Sequence, residues 1–249
     1  MQMTCAKTDP VPERIRTPFN YSKFSVSIEG FFMVLQNFIV FEGIDGAGTT
    51  TQLELLKNRK GLPQVRFTAE PTTAPTGVFL RSMLKGEFSA SEETAAYLFA
   101  ADRAEHVWGP LRTRNDRTVV TGIQSACEQG CAVISDRYLF SSLAYQGSSS
   151  SALAKTLNST FPLPQLVFFF DIAPEASLKR ICNRTVREIY EKSEFLAGVA
   201  ERYRALFSEY SSLPEAAGMK IVQVDAAKTK EEIAQIIWTE LQNLPIFRM

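Results

Sequence analysis

The sequence predicts an α/β chain built on a five-stranded parallel sheet with helices on both faces. Three observations carry that expectation. Short apolar runs recur along the chain and alternate with helical patterns. The first run closes on a cluster of glycines, Gly43, Gly46 and Gly48. The 249 residues are 45% hydrophobic and 22% charged, enough apolar material for a sizeable core. A continuous apolar run bounded by glycines suits a strand buried on both faces. Alternation of such runs with helices implies crossover connections within one parallel sheet.

Residues 1–32 mix Pro, Thr, Ser and isolated charges and sustain no helical or strand period. They are expected to be a poorly ordered extension or an artefact of start-site choice, with the folded unit spanning 33–249. The first strand is read at Asn37 to Glu42, around Phe38-Ile39-Val40-Phe41, and the first helix from Thr49, with Leu53, Leu55 and Leu56 on its apolar side. Further strands are expected at Gln64 to Thr68, Ala132 to Ser135, Leu166 to Ile172 and Lys220 to Val224. Helices are expected at Gly77 to Lys85, Ser91 to Val107, Val119 to Glu128, Pro174 to Ile181, Tyr190 to Tyr210 and Lys230 to Leu241. The second of these should stop at Gly109-Pro110. Leu111 to Arg117, with three arginines, reads as a solvated loop, and Ser148 to Ser151 as a flexible run. No internal repeat is present, so one domain is expected.

Twenty-seven Lys and Arg balance twenty-seven Asp and Glu. That balance argues against a general nucleic-acid binder or a polybasic membrane binder, so an anionic ligand must be met by a local site. Four cysteines and the single His106 lack the paired spacing of a structural zinc site; Cys127 and Cys131 read as buried thiols. The start of the chain has no apolar targeting segment, and a cytoplasmic protein is expected.

Gly43-Ile44-Asp45-Gly46-Ala47-Gly48-Thr49-Thr50 follows a strand and opens a helix. Its spacing is that of G-x-x-x-x-G-K-[ST], a phosphate-binding loop. Glycines let the backbone aim several N–H groups at one anion, and the helix N-terminus assists. Thr50 falls where a hydroxyl binds magnesium, whereas the lysine position holds Thr49.

Beyond the loop, Glu70-Pro71 follows the second strand and Leu98-Phe99-Ala100-Ala101-Asp102-Arg103 lies in a helix. Ser135-Asp136-Arg137-Tyr138 precedes Ser141-Ser142-Leu143-Ala144-Tyr145-Gln146-Gly147. In this order and spacing, with Phe41-Glu42 and the loop, these segments resemble the thymidylate kinases, over roughly Phe38 to Leu241. The resemblance implies a P-loop NTPase-type sheet with a short lid at about 182–194. It implies an enzyme that phosphorylates dTMP with ATP and Mg2+, and a homodimer.

The resemblance also implies site residues. Gly43, Ile44, Asp45, Gly46, Ala47, Gly48, Thr49 and Thr50 would hold ATP, and Thr50 with Asp136 the metal. Phe99 would stack on the pyrimidine, Arg103 and Arg137 would grip the acceptor phosphate, and Ser142 belongs to the same dTMP site. Asp45 would contact the acceptor sugar near the transferring phosphate, and Tyr145 would cover the sugar. Arg184 and Arg187 of the lid would join Asp45 and Arg137 in catalysis, since Gly46 leaves no arginine inside the loop. Val224-Asp225-Ala226-Ala227 would border adenine.

Three departures stand out: Thr49 for lysine, Ala69 for an arginine common before Glu-Pro, and extra length at Trp108 to Arg117. Arg66, Arg81, Arg112, Arg114 and Arg117 are candidates to restore the lost charge. Two other readings follow from the departures: a degenerate nucleotide-binding homologue without phosphoryl transfer, or a kinase with a different acceptor, dUMP or a nucleoside. The intact acceptor residues favour the active dTMP kinase.

Overall fold

The computed structural model describes residues 33–112, 119–146, 150–181 and 193–248. Expectations for the N-terminal extension, most of the lid, Arg184 and Arg187 lie outside these residues. The elements in chain order are β1 (Val34–Gly43), α1 (Thr49–Lys57), β2 (Val65–Ala69), α2 (Pro75–Leu84), α3 (Glu92–Trp108) and β3 (Leu111–Arg112). They continue with β4 (Val119–Val120), α4 (Ile123–Glu128), β5 (Ala132–Asp136), α5 (Leu139–Tyr145), α6 (Ser151–Asn158) and β6 (Leu163–Asp171). The last are α7 (Pro174–Ile181), α8 (Ser193–Ser212), β7 (Lys220–Asp225) and α9 (Lys230–Gln242).

The five long strands form one parallel sheet in the order β2-β5-β1-β6-β7. The apolar runs occupy it for the reason foreseen: Phe38 through Phe41 and Val167 through Phe170 are buried between helical layers. Edge-on rings lock adjacent strands, as in Phe41 against Phe168 at 5.2 Å. Because all five strands run the same way, their carboxyl ends share one edge. Gly43, Glu70, Asp136 and Ala226 follow or close β1, β2, β5 and β7 there, forming the crevice where such sheets bind ligands.

The structure departs from expectation in the connections. Val119 does not begin a helix; β4 pairs antiparallel with β3, so part of the expected solvated loop is a hairpin. The helix starts later, at Ile123, because Gly122 packs against the end of α3: a Cβ there would lie 2.5 Å from the Val107 carbonyl oxygen. α5 and α6 were not anticipated. Ser151, read as part of a flexible run, opens α6, and the Ser150 hydroxyl donates to the Gln146 carbonyl at 3.1 Å. Among the described residues, no helix is long and apolar enough to cross a membrane.

Candidate active site

The glycines at the end of β1 turn the chain into α1 by leaving the region open to side chains. Gly46 (φ 81°) and Gly48 (φ 100°) are left-handed. At Gly46 a Cβ would also lie 2.7 Å from the Ser177 carbonyl oxygen on α7, so this loop has no room for an arginine of its own. Ser177 Oγ donates to the Asp45 carbonyl, holding the loop from outside. At the start of α1, Thr50 Oγ1 donates to Asp136 Oδ2 at 2.9 Å. Asp136 Oδ1 is buried without a hydrogen-bond partner. A hydroxyl and a carboxylate with a spare oxygen are hard oxygen donors, the set that suits magnesium.

A cavity of about 500 Å³ opens above the loop. Of the expected site residues, it collects Ile44 through Thr50, Phe99, Arg103, Asp136, Arg137, Ser142 and Tyr145. At its centre Arg137 Nη2 meets Asp45 Oδ1 at 2.6 Å. Tyr145 donates to Asp45 Oδ2 (3.0 Å) and accepts from the Asp45 N–H (3.2 Å). Arg137 Nη1 also donates to the Gly43 carbonyl at 3.2 Å. Burial works against the Arg137 charge, but Tyr145 and Asp45 beside it outweigh that and hold its pKa above the usual arginine value.

Arg103, expected to grip the acceptor phosphate, lines the cavity, is 1% exposed and is paired with Glu70, which takes Nε at 3.0 Å and Nη2 at 2.7 Å. Ser142 Oγ (3.1 Å) and Asn158 Oδ1 accept its other contacts. Its neighbour in the chain, Asp102, is engaged elsewhere, accepting from the Thr72 N–H, the Thr72 hydroxyl and the Thr76 hydroxyl. His106 Nδ1 lies 3.0 Å from Glu70 Oε1, and its Nε2 lies 2.7 Å from Thr68 Oγ1. Burial alone would raise the Glu70 pKa, yet Arg103 and His106 pull it below the usual carboxylate value. Arg103 is thus held by Glu70, Ser142 and Asn158 in the wall of the cavity that Phe99 also lines.

Two cavity residues, Gln146 and Arg180, escaped sequence reasoning, as did Glu42 beside the cavity. Gln146 is 5% exposed, and both polar atoms of its side chain are buried without partners among the described residues. Such an amide awaits a ligand with its own donor and acceptor. Arg81, one of the candidates named from the sequence to restore the lost charge, lines the cavity from α2 and donates to the Pro71 carbonyl. Arg180 of α7 lies across the loop's outer rim, with Nη1 3.4 Å from the Gly46 and Ala47 carbonyls and Nη2 donating to Ala226 at 2.8 Å. It has no carboxylate partner among the described residues. Glu42 is fully buried at the end of β1, next to the loop. The signal for Gln146 was present in the Tyr145-Gln146-Gly147 segment; Arg180 sits on a plain helical pattern. Of the proposed compensating arginines, Arg66 points away, donating to the Thr121 carbonyl. Arg114 and Arg117 lie outside the described residues, as does the Arg112 side chain.

Comparisons with known proteins agree with this geometry. A family model described as thymidylate kinase matches residues 41–237. A putative thymidylate kinase of Treponema pallidum is 37% identical over 84% of this chain and 97% of its own length. A probable thymidylate kinase of Methanocaldococcus jannaschii is 34% identical over 86% and 100%. The thymidylate kinase of Leptospira borgpetersenii is 32% identical over 80% and 89%. Among solved structures, a thymidylate kinase from Candida albicans shares the fold with a TM-score of 0.65 at 24% identity, covering 85% of this chain and 93% of that one.

Proposed function

This chain belongs to the thymidylate kinase family and transfers a phosphate from ATP to dTMP, giving dTDP and ADP; from that premise we propose how its own residues divide the work. The observation that carries the assignment is the acceptor end of the cavity. There a buried Gln146 amide, partnerless among the described residues, faces the same space as Phe99, Arg103 and Ser142. Its donor and acceptor match the imide edge of thymine, while Phe99 offers a face for stacking.

The acceptor phosphate is then met by Arg137, with Arg81 supplying the charge that Ala69 does not. Asp45 and Tyr145 hold Arg137 and approach the sugar. A dTMP phosphate oxygen attacks the γ-phosphorus of ATP in line and ADP departs; the nucleophile is already ionised, so orientation and charge stabilisation do most of the catalysis. The loop N–H groups of Gly43 to Thr50 cradle the donor phosphates. Thr50 and Asp136 fit a magnesium ion, which when bound would neutralise donor charge. Arg180 stands where the missing lysine's charge is needed most nearly, and Arg184 and Arg187 remain the lid candidates. The Thr49 substitution is therefore read as compensated rather than as decay.

Residues 33–249 form the catalytic unit in this reading. Val78, Phe79 and Tyr97 stay 40%, 48% and 57% exposed on α2 and α3, which supports a homodimer through that face. A coupled ADP-release assay with dTMP, dUMP and thymidine tests the function. Turnover with dTMP well above the other two is expected; turnover with none, or a preference for thymidine, would overturn it.

A further inference from the structure

Glu42 lies in the run of buried β1 residues, one position before the phosphate loop. It is 0% exposed, and among the described residues it forms no ion pair. A buried carboxylate is costly to keep, so its donors must be numerous and well placed. Four converge on it: the Tyr138 N–H (2.8 Å) and Ser141 N–H (3.2 Å) on Oε1, and the Ser141 hydroxyl (2.6 Å) and Tyr203 hydroxyl (2.9 Å) on Oε2. They tie β1 to the turn after β5 and to α8.

That turn carries Arg137, whose backbone is left-handed (φ 71°). A non-glycine residue in that region is strained and persists only where its surroundings enforce it. β1 does so on both sides: Phe41 accepts the Arg137 N–H at 2.9 Å, and Glu42 holds the residues that follow. The Ser141 hydroxyl, while donating to Glu42, accepts from Arg137 Nη1 at 3.2 Å. We propose that Glu42 is a positioning residue for phosphoryl transfer: its ionised carboxylate orients Ser141, and through it fixes the Arg137 guanidinium where the dTMP phosphate is received. The inference rests on the assignment of Arg137 to the acceptor phosphate.

Burial pushes Glu42 up to about 7, against the opposing pull of Ser141, Arg137, Tyr203 and the Tyr138 N–H. The groups facing it are Arg137 from the turn and Tyr203 from α8, with Asp45, Tyr145 and Asp136 beyond Arg137; its register partner on β6 is the apolar Phe169. Once protonated, Glu42 resembles glutamine: the Ser141 hydroxyl loses its acceptor and its hold on Arg137 slackens.

The test is calorimetric binding of dTMP and of thymidine to the full chain and to Glu42→Gln, at about pH 5.5 and about pH 8. At the higher pH the variant should bind dTMP about tenfold more weakly than wild type, the size of one charge-assisted hydrogen bond, and at the lower pH equally well. Thymidine, which lacks the phosphate, should bind both forms alike at either pH. The ionisation of dTMP itself cancels in the ratio of the two proteins. An unchanged dTMP affinity at the higher pH, or an equal loss for thymidine, overturns the proposal. If Glu42→Gln does not fold, Ser141→Ala removes the bridge, and the same loss confined to dTMP is expected; dTMP affinity equal to wild type in that variant overturns it. A wild type that gains nothing from the phosphate refutes the Arg137 assignment and this inference together, whereas tight dTMP binding indifferent to Glu42 refutes the inference alone.

Discussion

The two ends of the cavity handle charge in opposite ways. At the acceptor end each central arginine comes with its own carboxylate: Arg137 with Asp45, Arg103 with Glu70. At the donor end Arg180 touches, among the described residues, only backbone carbonyls, and the loop borders the cavity. A pre-neutralised arginine is held in one orientation before substrate arrives, so it discriminates by geometry. A cation on carbonyls keeps its charge for an incoming triphosphate, so it supplies attraction. On the proposed division the acceptor end selects and the donor end supplies charge, and Arg180 is the cation proposed to let the loop do without a lysine at Thr49.

The largest effect expected from this contrast is on stability. Glu70→Gln leaves Arg103 buried without its counter-charge, which typically costs about 3–5 kcal/mol. The Glu70 pKa is lowered on folding, so its contribution is present above the unfolded carboxylate value of about 4.5 and is lost as pH falls through the folded value. Thermal melts should show the variant far below wild type near neutral pH, with the gap closing in acid. Glu42 has the opposite sign. Its folded value is raised to about 7, so its contribution is greatest in acid and is lost as pH climbs from its unfolded value through that point. A gap for Glu70→Gln that does not depend on pH would break the picture of a pre-paired Arg103.

Next in size is Arg137→Ala, which should lower kcat/KM for dTMP by about 10²–10³, as for other preorganised donors in catalysis. The KM for ATP should stay near wild type in steady-state assays; an equal change in both would merge the two ends into one. Arg180→Ala should do the reverse, lowering kcat by about tenfold or more and raising the KM for ATP while dTMP binding holds. Thr49→Lys should change the wild type little but rescue most of that loss. A large gain from Thr49→Lys in the wild type, with Arg180→Ala silent, would show that the loop lysine was never replaced. The smallest effect belongs to removal of residues 1–32: a chain beginning at Met33 should melt and turn over as the full chain does.

Much of this was legible in the residues. Phe38-Ile39-Val40-Phe41 could only be a doubly buried strand, and the spacing of Gly43, Gly46 and Gly48 leaves few alternatives to an anion-binding turn. These are local facts, set by side-chain polarity and by backbone freedom within a few residues. Asp45, Phe99, Arg137, Ser142 and Tyr145 could be nominated because their segments come in a recognisable order. The misjudged connections have the same origin. Val119-Val120 reads equally well as helix or strand, and only its pairing with Leu111-Arg112 decides.

Partnership was not legible. Arg103 and Arg137 look alike in sequence, each beside an aspartate, and neither pairs with that neighbour: one is sealed by a glutamate 33 residues away, the other is held by an aspartate 92 residues away. Arg180 is one more cation on an exposed helix until α7 docks on the loop, and Glu42 one more acid at a strand end until Tyr203 arrives from α8. The sequence by itself determined the sheet, the loop and the class of ligand, because those follow from periodicity and local backbone geometry. Only the tertiary structure decided which charges are spent on one another and which remain for substrate, because electrostatic pairing depends on distances that the chain closes by folding.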